Sequence, residues 1–110
     1  MTSEAKLQQD CFVYFWNSYP ELRGTMWMVH NNAKNAFQGA ILKAMGMVKG
    51  VSDLQWLHNG KFYAIELKTA TGRQSKEQIQ WQNGIEVQGG TYVVLRSLDE
   101  FTNFVQSVLK

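Results

Sequence analysis

Apolar residues along this chain recur with a helical period in four stretches, and strand-like runs lie between them. The first helix is predicted to begin after an N-cap at Ser3 and to end before Pro20. Its apolar stripe consists of Leu7, Cys11, Tyr14 and Phe15. The apolar run 25–30 predicts a strand, and residues 35–45 predict a second helix. The stripe of that helix, continued past its end, consists of Phe37, Ile41, Ala44, Met45 and Val48.

The centre of the chain, residues 50–68, predicts a β-hairpin. Asn59-Gly60 supplies the positive φ angles that a two-residue type I′ turn needs. The turn sets the register and places Asp53 opposite Glu66 on a non-hydrogen-bonded rung. Side chains are closest on such a rung, with Cβ atoms about 4.5–5.5 Å apart. Lys68 lies two residues beyond Glu66, and therefore on the same face of the strand.

Two helices and one strand are predicted after the hairpin. Capping boxes open both helices, Ser75 with Gln78 for the first and Ser97 with Glu100 for the second. Trp81 and Ile85 mark the buried side of the helix that begins after Ser75. The run 91–96 is typical of a strand covered on both faces. The predicted order is α-β-α-β-β-α-β-α. This order indicates one α/β domain, residues 1–110, with a mixed central sheet and helices on both of its faces.

Composition narrows the class of protein. With 45% hydrophobic and 18% charged residues among 110, the chain is globular rather than disordered. No apolar run approaches the roughly 20 residues that span a bilayer, and the first ten residues do not resemble a secretory signal. Cys11 has no second cysteine to pair with, which fits a cytosolic setting. A net charge of +2 permits nucleic-acid binding without requiring it.

The hairpin carries the candidate chemistry. Two carboxylates on one rung repel each other, but a divalent cation would turn the pair into a ligand set, and Mg²⁺ prefers such oxygens. Lys68 could then orient or deprotonate a water, or neutralise charge on a phosphate. The sequence has no zinc spacing, phosphate loop or nucleophile elbow. Metal-assisted phosphodiester hydrolysis fits best. The alternative is that Asp53 and Glu66 are exposed strand charges in a slipped register, against which the apolar run 62–65 argues.

These residues resemble a known nuclease motif. Asp53 followed by Glu66-Leu67-Lys68 resembles the PD-(D/E)XK motif. Three stretches, together with a Gly-Arg loop, resemble its VRR-NUC (virus-type replication-repair nuclease) branch: Gly50-Val51-Ser52-Asp53, Ile65-Glu66-Leu67-Lys68 and Ser75-x-x-Gln78-x-x-Trp81. The resemblance runs from about Ser3 to Phe104. Ser52 stands where the name-giving motif has proline, a position of backbone context rather than a ligand.

The resemblance implies a restriction-endonuclease-like PD-(D/E)XK core and a metal-dependent deoxyribonuclease. It implies that Asp53 and Glu66 bind Mg²⁺ or Mn²⁺, with the carbonyl of Leu67 as a further ligand. Lys68 would be the catalytic lysine.

The resemblance also extends to the flanking helices. Gln78 would be a site residue at the start of its helix, although the residue pattern alone equally explains it as a cap. Such families place a carboxylate on the first helix, for which Glu4 is the natural match and Asp10 the alternative. Small VRR-NUC proteins resemble dimeric four-way-junction resolvases. The chain is therefore expected to act as a homodimer on branched DNA, in the cytoplasm of a bacterial or phage-infected cell.

Six basic or polar residues close to the expected site are candidates for contacts with DNA: His30, Asn32, Lys34, Lys49, Arg73 and Lys76. Trp56 and Trp81 are assigned to the core rather than to base stacking. Large apolar residues outside the regular stripes either fill the core or form a dimer patch: Trp16, Met26, Trp27, Met28, Met45 and Met47.

Three other functions remain open at this point. The chain could be a DNA-binding or assembly module with unused nuclease residues. It could be a structure-selective flap or single-strand nuclease. It could also be a restriction-type enzyme that reads bases, although little of the chain is left for a recognition domain.

Overall fold

Helices and strands follow each other in the predicted order. A computed structural model describes residues 3–29 and 34–110. The elements are α1 Glu4–Ser18, a short 3₁₀ turn Pro20–Leu22, β1 Met26–Met28, α2 Ala36–Ala44, β2 Leu54–His58, β3 Lys61–Leu67, α3 Lys76–Val87, β4 Thr91–Leu95 and α4 Leu98–Leu109. Within the described ranges, no helix is both long and apolar enough to cross a bilayer.

The sheet has the order β1-β2-β3-β4 among the described residues. Its first two pairings are antiparallel and the third, β3 with β4, is parallel, so the predicted mixed sheet is confirmed. Asn59 and Gly60 both have positive φ, 50° and 76°, as a type I′ turn requires. The ladder runs from His58 opposite Lys61 to Leu54 opposite Ile65. The predicted register is therefore confirmed, and Asp53 is the residue before its last rung.

One face of the sheet packs against α1 and α4. The buried cluster on this face takes every second residue of β2 and β3 together with the apolar stripes of the two helices. Its members are Leu7, Cys11, Phe15, Met26, Leu54, Trp56, Ile65, Leu67, Leu95, Phe101 and Val105. Trp56 at its centre meets Phe15 edge-on, with ring centroids 5.4 Å apart. α3 packs against the other face of the sheet, so helices lie on both faces as predicted.

Two expectations about the last strand and helix need correction. Val93 and Val94 point to opposite faces of β4 and are both only half-buried, so neither face of the strand is fully covered. Ser97 caps α4 by accepting from the Glu100 N–H at 3.1 Å, as predicted. The Glu100 carboxylate, however, accepts from the N–H of Arg96 and not from that of the cap residue.

The second helix differs most from its pattern. α2 forms after the N-cap Asn35, whose side chain accepts from the Gln38 N–H, but none of its residues is buried. Phe37 keeps 78% of its surface exposed, and Ile41 and Met45 are also exposed. The predicted helix forms, and its apolar stripe stays uncovered among the described residues, because the period reports an apolar face and not what covers it.

Candidate active site

Three charged side chains meet where β2 begins and β3 ends. Asp53 Oδ2 accepts a hydrogen bond of 2.7 Å from the backbone N–H of Leu67. Glu66, the residue before Leu67 in β3, is only 1% exposed. Lys68 Nζ lies 3.6 Å from Glu66 Oε2. The Lys68 side chain is itself buried. The structure thus brings Asp53, Glu66 and Lys68 together, as the register requires, and the alternative of exposed charges in a slipped register is wrong.

Glu66 is held in surroundings that oppose its charge. Burial raises the pKa of its carboxyl well above the ordinary range, and the nearby negative charge of Asp53 raises it further. The Lys68 ammonium acts in the opposite direction, while Glu4 adds a smaller upward contribution. Glu66 Oε1 is buried without a hydrogen-bond partner among the residues described. A buried, unpartnered carboxylate oxygen is costly, so the site lacks a positive or donating group at this atom.

Gln78 reaches Glu66 from the first turn of α3. Its Oε1 accepts from the Ser75 N–H at 2.8 Å, and its Nε2 donates to Glu66 Oε2 at 3.0 Å. The capping box occupies the amide oxygen, and this leaves the amide nitrogen to face the carboxylate. One side chain therefore both caps α3 and contacts Glu66.

The first helix sends one carboxylate toward the site. A methyl group in place of a Gly72 hydrogen would lie 3.3 Å from Glu4 Oε2 and 3.4 Å from Lys68 Cδ, so the two side chains border the same point. Asp10 instead forms a 2.8 Å ion pair with Lys6 on the exposed side of α1. Of the two carboxylates, the structure places Glu4 beside Lys68.

Close backbone packing seats α3 against the loop that carries Asp53. A methyl group on Gly50, which has φ +86°, would lie 2.3 Å from the carbonyl oxygen of Glu77. Ser52, two residues on, is buried and donates to the Leu54 carbonyl at 2.9 Å. The hydroxyl at the proline position of the motif thus supports the local backbone.

The candidate DNA-contacting residues are more widely spaced than the three charged residues of the site. Arg73 lies in the loop after β3, Lys76 is the first residue of α3, and Lys49 precedes Gly50, so these three exposed cations border the site loops. Lys34 is exposed before α2. His30 and Asn32 lie outside the described residues. Trp56 is buried in the core and Trp81 stands edge-on to Tyr92, in agreement with their assignment to packing.

Sequence reasoning missed three polar residues near the site. Gln74 Nε2 donates to the hydroxyl of Tyr92 at 3.2 Å, and burial followed by the charge of Glu66 raises the pKa of that phenol. Gln55, on the same face as Asp53, is buried with its Nε2 donating to the Ser52 carbonyl. Arg96 contacts the loop after Lys68. No spacing signal links these residues, because they meet only through the fold.

The donor set fits a hard divalent cation. Asp53 and Glu66 offer carboxylate oxygens, the ligands that Mg²⁺ and Mn²⁺ prefer. One of these oxygens is buried with no partner in residues 3–29 and 34–110. Leu67, between Glu66 and Lys68, ends β3. Among residues 3–29 and 34–110, no group of three or more His, Cys, Asp or Glu residues is arranged to hold a metal. Mg²⁺ does not need such a group, since it commonly keeps waters and takes one or two carboxylates.

Comparison with known proteins agrees with this geometry at the level of fold. No protein-family model matches the chain, and no curated protein matches it either. A solved structure described as a "VRR_NUC domain protein" superimposes with a TM-score of 0.82 at 17% sequence identity. The match covers 97% of this chain and 88% of that one. The predicted fold is therefore confirmed: this chain has the fold of a VRR-NUC domain.

Proposed function

We propose that this protein is a metal-dependent endonuclease that hydrolyses phosphodiester bonds in DNA. The observation that carries the proposal is the buried Glu66 beside the half-buried Asp53 and the buried Lys68, with one Glu66 oxygen lacking a partner among the described residues. Buried charges of this kind are unfavourable for stability, and they are typical of catalytic sites. The similarity to a structure named for a nuclease domain supports the same conclusion.

The chain's own residues divide the work in this proposal. Asp53, Glu66 and the Leu67 carbonyl would hold Mg²⁺ or Mn²⁺. When bound, the ion supplies positive charge that activates water and stabilises the negative charge developing on the phosphate. Lys68 Nζ, 3.6 Å from Glu66 Oε2, holds the attacking water or neutralises the phosphate oxygens. Gln78 keeps the Glu66 carboxylate in one orientation, and Glu4 adds a carboxylate near Lys68.

The proposed substrate is branched DNA, such as a four-way junction, met during phage or prophage replication, recombination or repair in the bacterial cytoplasm. Exposed Arg73, Lys76 and Lys49 supply phosphate contacts beside the site, together with Lys34 and the predicted contacts His30 and Asn32. Such contacts position a backbone without reading bases. A restriction-type function would need base-edge contacts in addition.

The experiment that tests this function uses labelled four-way junction, flap and linear duplex DNA. Each is incubated with the protein plus Mg²⁺, plus Mn²⁺, or plus EDTA, and Asp53→Asn is the matched control. We expect metal-dependent incision of the junction, and none by the variant. Binding of all three DNAs without incision under any metal would overturn the enzyme and favour the DNA-binding module. Incision of only the flap or of single strands would favour the structure-selective alternative.

The proposed active unit is a homodimer, because symmetric incision of a junction needs two sites related by a two-fold axis. Phe37 and Ile41 on α2, with Met45 at its C-cap, form an exposed apolar face suited to such an interface. Of the earlier patch candidates, Met26 is excluded because it is buried in the core, whereas Trp16, Trp27 and Met28 are exposed.

Light scattering at micromolar concentration tests the dimer. Phe37→Ser should lower the molar mass toward that of a monomer. Val87→Ser is the matched control, because Val87 is 81% exposed on α3 and lies outside the proposed face. A wild-type chain that is monomeric both free and on junction DNA, yet still nicks it, would overturn the resolvase form of the proposal.

A further inference from the structure

The loop that follows Lys68 is held by an arginine from another part of the chain. Residues 69–74 join β3 to α3 without regular structure. Arg96, just after β4, donates from Nη1 to the Thr69 carbonyl at 2.8 Å and to the Gly72 carbonyl at 2.6 Å. One cationic nitrogen therefore ties both ends of a four-residue turn, and hydrogen bonds from charged donors are stronger than neutral ones.

The tied turn lies against catalytic side chains. A methyl group on Gly72 would stand 3.4 Å from Lys68 Cδ and 3.3 Å from Glu4 Oε2, which are van der Waals distances or shorter. The Gly72 backbone therefore lies no more than about a methyl group away from the Lys68 stem and the Glu4 carboxylate. If the turn moved outward, the Lys68 amine would gain room to leave the 3.6 Å contact with Glu66.

Arg96 is itself anchored on rigid structure. Its backbone N–H donates to Glu100 Oε1 at 2.9 Å in the first turn of α4. The residue before it, Leu95, accepts from the Lys68 N–H at 3.1 Å and so extends the β3–β4 ladder to the catalytic lysine. The backbone of Lys68 and the turn after it are therefore both fixed by the end of β4.

We propose that Arg96 is a positioning residue, which clamps the Thr69–Gly72 turn so that the turn confines the side chains of Lys68 and Glu4. The catalytic consequence rests on the proposed nuclease function, whereas the clamp itself does not. The competing role, direct binding of a DNA phosphate by the exposed Arg96, is an outcome that the experiments below distinguish.

The clamp is tested first without DNA. Trypsin cleaves after Arg73, which lies one residue past the turn. The rate of this cleavage under native conditions reports how often the loop opens. Arg96→Ala should raise the rate of cleavage after Arg73 about tenfold or more, because two hydrogen bonds from a charged donor are lost. Arg96→Lys should return most of the protection, since an ammonium can also donate to two carbonyls.

The matched control is Arg23→Ala. Arg23 also donates to a backbone carbonyl, that of Trp16 at 2.9 Å. It lies two residues before Thr25, whose carbonyl accepts from the Leu57 N–H near the hairpin turn and away from Asp53. This variant should leave cleavage after Arg73 unchanged. Equal rates in the wild type and in Arg96→Ala would overturn the clamp.

Kinetics then test the catalytic consequence on whichever labelled DNA the wild type cuts. Arg96→Ala should lower kcat about tenfold to a hundredfold with KM unchanged, and Arg96→Lys should recover most of kcat. A raised KM with a flatter salt dependence and unchanged kcat would show a phosphate contact and overturn the positioning role. An unchanged kcat with a loosened loop would also overturn it. If the wild type cuts no DNA, the proposed function fails, and the trypsin result still decides the clamp.

Discussion

At the end of β3 both faces of the hairpin are buried, and they differ in the chemistry of the residues that they bury. Ile65 and Leu67 are fully buried against α1 and α4, and Glu66 between them is equally buried against α3. The first face is a close-packed apolar core whose burial stabilises the fold. The second holds two carboxylates and an amine, which cost free energy to bury unless each is paired. Burial alone therefore does not separate a structural residue from a functional one.

The difference lies in the charge of the buried polar atoms: Trp56 Nε1 on the apolar face also lacks a partner among the described residues, but it belongs to a neutral side chain. On the α3 face, Asp53 accepts from a backbone N–H and Glu66 Oε2 accepts from Gln78, yet Glu66 Oε1 remains without a partner among the described residues. The α1 and α4 face carries the aromatic contacts of Trp56 instead. A sheet can hold an unfavourable charged site on one side because the other side supplies the stability.

The largest expected effect comes from neutralising the charged face. Glu66→Gln should reduce metal-dependent DNA cleavage by about a thousandfold or more, because it removes a ligand charge from the site. Its melting temperature in EDTA should equal or exceed that of the wild type, since repulsion with Asp53 is relieved. Glu86→Gln, an exposed change on the same helix as Gln78, should alter neither quantity. Cleavage by Glu66→Gln at the wild-type rate would show that the site is misassigned.

The apolar face should respond in the opposite sense. Phe101→Ala removes a fully buried ring of α4 and should lower the free energy of unfolding by about 3–5 kcal/mol. Val87→Ala, at an exposed position, should change it by less than about 0.5 kcal/mol. Urea denaturation measures both. A loss below about 1 kcal/mol for Phe101→Ala would mean that this face is not the stabilising one.

A change at the seam between Gly50 and α3 should disturb the site through packing. Gly50→Ala imposes positive φ on a residue with a side chain and places a methyl group against the Glu77 carbonyl, so α3 must shift. We expect a cleavage rate at least about tenfold lower, because Gln78 moves with α3.

Gly24→Ala separates the effect of backbone strain at positive φ from the effect of a steric clash. Gly24 has a similar φ, +92°, but open space around it, so this variant should lose about 1–2 kcal/mol of stability and keep its cleavage rate. Equal cleavage by the two variants would rule out the close approach at Gly50 as a determinant of the site.

Cys11 on the apolar face predicts a pH dependence of stability. Burial, and after it the charge of Asp10, raises the pKa of its thiol from 9.0 to about 12. Between these values the unfolded chain loses the proton and the folded chain keeps it, so stability is intact below pH 9 and falls as the pH rises. From pH 8 to pH 10 the wild type should lose about 1.4 kcal/mol more than Cys11→Ala. Equal losses measured by urea denaturation would contradict a buried neutral thiol.

The smallest effect concerns the rim of the charged face. Arg73→Gln and Lys76→Gln should each weaken binding of every DNA sequence alike and reduce the slope of log K against log salt by about 0.9 per lost phosphate contact. Binding is measured in the Glu66→Gln background, where cleavage does not interfere. Lys61→Gln, beside the hairpin turn, is the control and should leave the slope unchanged. A loss confined to particular sequences would favour base readout and the restriction-type alternative.

What the sequence by itself determined is local. The Asn59-Gly60 turn set the register that brings Asp53 to Glu66, because a two-residue turn with positive φ leaves one pairing. The caps at Ser3 and Ser75 marked where α1 and α3 begin, since an N-cap satisfies donors within three residues. These signals act over short separations, so they can be read without knowing the fold.

Only the tertiary structure decided which distant groups meet and which faces stay uncovered. Glu4 rather than Asp10 borders Lys68, and Arg96 holds a turn 24 to 27 residues earlier in the chain. Tertiary packing also leaves α2 uncovered among the described residues. The apolar residues of α2 do recur at helical spacing, but that spacing specifies a face of the helix and not the element that covers it. Contacts between distant residues depend on how the elements pack, and no local spacing encodes that.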